Sequence, residues 1–150
     1  MSWGYNSATP SHSKFLDYHQ LQGTRDVSAF LTVPRAIQFM QEYNWKAVSD
    51  MSKRLVKQNA ERFFNLLDTK ALAPISDEFI GQMLSLPIHT SQPEKLQQEL
   101  FNTYSIDIPV MRHADKTYIR YSINAFNSQE DLDKLYQALK TIKSQKRLIG

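Results

Sequence analysis

Cysteine is absent from the 150 residues. The chain therefore forms no disulfide, offers no thiolate nucleophile and cannot build a cysteine-type zinc site. Glycine is almost as scarce: Gly4, Gly23, Gly81 and Gly150 stand far apart, so no glycine-rich loop can bring backbone N–H groups around a phosphate. Long apolar runs are also missing. Stretches such as Ala29-Phe30-Leu31 fall far short of the ~20 residues that cross a bilayer, so no membrane partner is expected. The start of the chain lacks the basic residues and apolar stretch of a secretion signal, which makes the cytoplasm the expected location. His12, His19, His89 and His113 are scattered, without the i,i+4 spacing that shares a metal on a helix, and no metal site is expected.

What is present is an ordinary globular composition, 41% apolar and 22% charged, on a chain long enough for one domain with a real core. The net charge is +3, with much of the excess in Lys140, Lys143, Lys146 and Arg147. A basic last turn complements the helix dipole. With no aromatic-basic platform beside it, nucleic acid is not an expected partner.

Residues 1–27 show no sustained period and predict an extended arm or loop that packs on something else. From Ser28 the pattern turns helical. A short turn is expected at 26–32 and a helix from Pro34, a residue suited to a first helical position, to about Tyr43. A longer helix over 45–68 places Val48, Met51, Leu55, Val56, Phe63, Leu66 and Leu67 at helical spacing. A strand is predicted over 82–88. Ser91 then caps a helix with Pro93 and Glu94 in its early turn and Leu96, Leu100 and Phe101 on one face. Strands over 107–111 and 117–123 follow, joined as a hairpin by 112–116. The last helix opens on Ser128-Gln129-Glu130-Asp131, a capping-box start, with Leu132, Leu135, Leu139 and Ile142 down one face. This order predicts an α/β (α+β) fold in which helices pack on one side of an about three-stranded, mainly antiparallel sheet. Residues 1–32 form an arm and short helix that make an interface, and 33–150 form a small α/β domain.

Two segments carry candidate chemistry. In Gly23-Thr24-Arg25-Asp26 a turn followed by an Asp or Ser helix cap is the simpler account, and anion binding by the Thr24 hydroxyl and nearby amides is the functional one. In Tyr118-Ile119-Arg120-Tyr121-Ser122, strand alternation sets Tyr118, Arg120 and Ser122 on one face and Ile119, Tyr121 and Ile123 on the other. A mid-strand arginine must meet a carboxylate, a phosphate or an open cleft. Either a structural ion pair or a ligand carboxylate held by two parallel bonds fits that need.

Taken in order, WGY at 3–5, QGTRD at 22–26, SAFLTVP at 28–34, GQM at 81–83 and IRYSINAFNSQEDLDKL at 119–135 resemble the C-terminal part of class V aminotransferase-like enzymes, in the isopenicillin N epimerase branch related to cysteine desulfurases. The resemblance implies the C-terminal small domain of a fold-type I pyridoxal-phosphate enzyme. Arg120 matches the arginine that binds the substrate α-carboxylate. Gly23 and Thr24 match the pair that reaches across a dimer interface toward the partner's cofactor phosphate. Asn127, Ser128, Glu130 and Asp131 match a structural turn and helix start, while Arg25 and Asp26 receive no defined role. The cofactor's Schiff-base lysine lies upstream of the WGY segment in this family, and Lys14 follows it. Pyridoxal phosphate is therefore expected in the complete enzyme but not covalently on this chain, and no catalytic residue is assigned. Leu21 stands where the family pattern has tryptophan, and the lack of cysteine disfavours a desulfurase. The implied partners are an amino-acid substrate and a large cofactor-binding domain or a homodimer partner. A non-catalytic interaction domain is the alternative, and a carboxylate-binding domain using Arg120 alone is a third. Epimerisation, transamination and elimination stay open.

Overall fold

The computed structural model describes residues 11–20, 24 and 26–150, and the chain divides into two compact units between Tyr43 and Asn44. The sequence drew its division at 32/33. The helix that starts at Val33 instead belongs to the first unit.

In that first unit the expected arm contains a helix, α1 (Lys14–Gln20). Its two turns are too short to register as a period. Local polar bonds start it: the Ser13 hydroxyl accepts the Leu16 N–H at 3.4 Å and the Asp17 carboxylate accepts the Ser11 N–H at 3.0 Å. The next helices, α2 (Ser28–Leu31) and α3 (Val33–Glu42), share Thr32 as last cap and first cap. Pro34 sits in the first turn of α3, where its missing N–H leaves no helical bond unmade. The Asp26 carboxylate accepts the N–H and hydroxyl of Ser28, at 2.8 and 2.9 Å. Those two bonds hold its carboxyl below the usual aspartate range. No described residue of this unit is buried.

The second unit carries the core. It comprises α4 (Trp45–Leu67), β1 (Met83–Ile88), α5 (Pro93–Tyr104), β2 (Val110–His113), β3 (Lys116–Ser122) and α6 (Gln129–Ser144). The strand order is β1-β3-β2, with both neighbours antiparallel to β3. β1 and β2 are thus parallel to each other, joined through α5, and β3 is inserted between them. This is the α+β arrangement expected, a three-stranded antiparallel sheet under helices. Val56, Ala60, Phe63, Phe64 and Leu67 of α4, Leu96 and Leu100 of α5, and Leu132, Leu135, Leu139 and Ile142 of α6 close on one sheet face. That face presents Leu84, Leu86, Ile88, Val110, Ile119 and Tyr121, with Ile108 and Ile123 at its margin. Leu148 and Ile149 add to the same core, and the Gly150 N–H donates to the His89 carbonyl at 2.9 Å. No helix among the described residues is long and apolar enough to cross a membrane.

Polar bonds fix how the helices lie on each other. The amides of Asn59 on α4 and Gln129 on α6 bond reciprocally, each at 2.9 Å. One turn on, Arg62 Nη1 donates to Asp133 at 2.6 Å. The rest of that guanidinium lies against Phe63 and Tyr136, 5.3 and 5.0 Å from the ring centres, and its Nε and Nη2 find no acceptor. α6 starts on the capping box the sequence predicted: Ser128 Oγ accepts the Glu130 N–H and Asp131 accepts the Ser128 N–H.

Elsewhere local chemistry moved the boundaries. α5 takes Gln92, not Ser91, as its first cap, and no side chain bonds there. The Thr90 hydroxyl instead accepts the Gln92 N–H at 3.1 Å. β2 begins at Val110, three residues later than expected, because Pro109 has no N–H to add to the ladder. Its carbonyl still accepts from Arg120, at 3.2 Å. The hairpin turn is also shorter than the polar stretch suggested, only Ala114-Asp115. Ala114 adopts φ 53°, the left-handed conformation that a two-residue hairpin requires. The first turns of α4 run past the core, leaving Met51 57% exposed.

Two outcomes test this packing. Phe63 is fully buried beneath the sheet, so Phe63→Ala is expected to cost about 3–5 kcal/mol in urea unfolding of the 150-residue chain. Hydrogen bonds from Gln129 and then Arg62 depress the Asp133 carboxyl pKa. A carboxylate depressed in the folded state stabilises fully above its unfolded pKa, about 3.9, and loses that contribution as pH falls through the folded value. Asp133→Asn is therefore expected to destabilise at pH 6 and to flatten the loss of stability below about pH 4, measured by urea midpoints across pH.

Candidate functional site

Within the 44–150 unit the helices close on one face of β3, and its alternation decides what the other face shows. Thr117, Ile119 and Tyr121 point into the core. Tyr118, Arg120 and Ser122 point away, as the sequence predicted. Cross-strand partners complete the outer face: Met83 and Ser85 of β1 stand opposite Ser122 and Arg120, and Met111 of β2 stands opposite Tyr118. Met83, Arg120 and Ser122 are exposed. Arg120 makes no ion pair and no side-chain hydrogen bond with any described residue. The structural ion pair allowed by the sequence is therefore not formed among them.

Beyond Pro109 the ladder opens. A cleft of about 250 Å³ follows the end of β3, lined from segment 106–109, from β3 and from the start of α6. Arg120, Asp107, Ser122, Asn127 and Asp131 supply its polar groups. The Asp131 carboxylate is committed to the Ser128 N–H at 2.9 Å and lies 3.5 Å from the Asn127 amide. The Asn127 side-chain Oδ1 accepts the Asn124 N–H at 3.1 Å. Those residues build the turn, which is the structural role expected of them.

The same end of β3 is held by Gln82, which lies in the GQM segment but received no role from the sequence. Gln82 Nε2 donates to the Ile123 carbonyl at 3.0 Å, and its carbonyl accepts the Ile123 N–H at 2.8 Å. Its Oε1 accepts from Ser49 of α4 at 2.9 Å. Gln82 thereby ties the strand bearing Arg120 to α4 through Ser49, 33 residues before Gln82 in sequence. Only a partner that distant could have exposed the role. Asp107 was also missed as a site residue, although alternation from the buried Ile108 and Val110 signals that it faces outward. Tyr121 belongs to the core: its hydroxyl donates to the Val56 carbonyl at 3.4 Å, and burial pushes its phenol well above the ordinary tyrosine range.

The Gly23 and Arg25 expectations lie outside the described residues. Thr24 is exposed in a bend of the first unit. Asp26 serves as the local helix-starting acceptor described above. No group of three or more potential metal ligands occurs among the described residues. Lysine-linked pyridoxal phosphate needs a lysine at the site, and none lines the Arg120 cleft. The residues there do not fit covalent attachment of that cofactor.

No protein-family model matches the chain. It is 28% identical over 153 aligned residues to an isopenicillin N epimerase of Amycolatopsis lactamdurans, covering 95% of this chain and 38% of that protein. Over 122 residues it is 27% identical to the isopenicillin N epimerase of Streptomyces clavuligerus, covering 80% and 30%. A crystal structure of 8-amino-7-oxononanoate synthase from Francisella tularensis superimposes with a TM-score of 0.48 at 19% identity, over 73% of this chain and 32% of that one. The chain spans less than two fifths of the length of the curated relatives it matches. Over nearly all of its own length, it is a homologue of isopenicillin N epimerase.

Proposed function

We propose that residues 44–150 are the substrate-carboxylate-binding domain of a pyridoxal-phosphate enzyme of the class V aminotransferase group, acting on an amino acid. The observation that carries this is Arg120: mid-strand, exposed, without an ion-pair partner among the described residues, and beside a cleft. A guanidinium fork there takes a carboxylate through two parallel, charge-assisted bonds. Gln82 and the α6 capping box hold the strand end and the following turn, so the fork is presented from a rigid element rather than a loop. Pyridoxal phosphate would supply the electron sink that labilises a bond at the amino acid's α-carbon. This chain's part is to bind and orient the carboxylate. The lysine and the acid facing the cofactor nitrogen would come from a large domain, so turnover by these 150 residues alone is not expected.

The arm belongs to the same proposal. Leu31, Val33, Ile37, Met40 and Tyr43 are each 49% or more exposed, an apolar density that no monomeric surface of this size keeps bare without cost. We assign it to an interface with that large domain or with a homodimer partner, with Gly23 and Thr24 directed to the partner's cofactor phosphate. A non-catalytic interaction domain built on the same fold would use the arm in the same way and leave Arg120 idle.

Binding of small amino acids to the 150-residue chain, followed by NMR titration, separates the two. Wild type is expected to bind, and Arg120→Ala to weaken binding about tenfold or more while melting at the same temperature. Equal behaviour of both proteins would favour the interaction domain. Adding pyridoxal phosphate to the chain is expected to produce no stable long-wavelength absorbance of lysine-bound cofactor; such a band would remove the proposed division of labour.

A further inference from the structure

The Arg120 cleft contains a second charge that the carboxylate role does not use. Ile108 and Val110 are buried while Asp107 is exposed, so segment 107–110 continues the strand alternation past the point where Pro109 ends the ladder. The Arg120 N–H to Pro109 carbonyl bond fixes Pro109 opposite Arg120. Asp107 lies two residues before Pro109, so the same alternation turns it to the outer side that bears Arg120. Both residues line the cleft, yet no salt bridge joins them. The other carboxylate there, Asp131, is spent on the α6 cap. Asp107 makes no hydrogen bond or ion pair among the described residues.

We propose that Asp107 is a specificity residue: it accepts a cationic group carried by the ligand whose carboxylate Arg120 holds. This rests on the carboxylate role of Arg120 and names the substrate class for that site. An anion and a cation lining one cleft match a ligand with a carboxylate at one end and an ammonium at the other, as in lysine. They disfavour a ligand with a second carboxylate, which would meet Asp107. The favoured substrates are therefore amino acids with a positively charged side chain, and acidic ones are disfavoured. Both groups are solvent-accessible, so the discrimination is modest, about three- to fivefold, and it weakens with added salt.

NMR titration of the 150-residue chain with L-lysine, L-norleucine and L-glutamate tests this. Norleucine matches lysine in length but lacks the ammonium. Wild type is expected to bind lysine about three- to fivefold more tightly than norleucine, with glutamate weakest. Asp107→Asn is expected to abolish the lysine preference and improve glutamate, and Asp107→Glu to keep the wild-type order. If Asp107→Asn leaves the order of the three ligands unchanged while Arg120→Ala weakens all of them, the Asp107 role is overturned and the carboxylate role stands. If Arg120→Ala changes nothing, or wild type binds none of the three, the carboxylate role falls and this inference falls with it. Asp107 is exposed, so its variants are expected to melt with wild type, which keeps a loss of preference from being a loss of fold.

Discussion

The middle position of β3 is the constraint on which the rest of the 44–150 unit depends. A strand hydrogen-bonded on both edges cannot slip by one residue without turning its whole inner set outward. Here the inner set is Thr117, Ile119 and Tyr121, sealed beneath α4, α5 and α6, and the cost of exposing it pins Arg120 to the opposite face. The arginine thus needs no buried partner to hold its place. Its backbone is fixed by two ladders, and its side chain is left for something else to meet. Had the sheet been covered on both faces, the same residue would have required a desolvated counter-ion.

Pro109 has an effect out of proportion to its size. By withholding one N–H it ends β2 at Val110, and the strand edge beyond it peels into a cleft. The segment that peels away keeps its alternation, because Ile108 still packs into the core. Asp107 is therefore aimed outward without being bound into the sheet. One missing donor both opens the space beside Arg120 and brings a second charge to its rim.

Much of this was legible in the sequence, and the reason is period. The long faces of α4 and α6 repeat often enough to identify, and seven residues of alternation in β3 sufficed to place Arg120 correctly. Ser128 and Asp131 formed the predicted cap because a capping box is decided within four residues. What escaped was either too short or too distant. α1 has two turns and its bonds are made by Ser13 and Asp17, neither of which belongs to an apolar pattern. Ser91 looked like a cap from its identity, but Thr90 holds the Gln92 N–H. The ties from Asn59 to Gln129 and from Gln82 to Ser49 and Ile123 join elements that only tertiary packing brings together. A glutamine has no propensity that announces such a task.

The two units also differ in what they can do unaided. Residues 44–150 bury a continuous set of large side chains, with Phe63, Leu86, Leu96, Ile119 and Leu139 all fully enclosed, and burial of that kind is the main favourable term in folding. The described residues before Asn44 bury none of theirs. Helices as short as α1, α2 and α3 are marginal in water without a surface to pack on, so their order must be borrowed from one. The 44–150 unit thus presents one exposed mid-strand arginine above a closed core, while the described residues before it leave their large apolar side chains uncovered. Under the proposed function the chemistry would divide along the same line: orienting a carboxylate calls for a rigid strand and a free guanidinium, whereas activation at the α-carbon calls for a lysine that a large domain would bring.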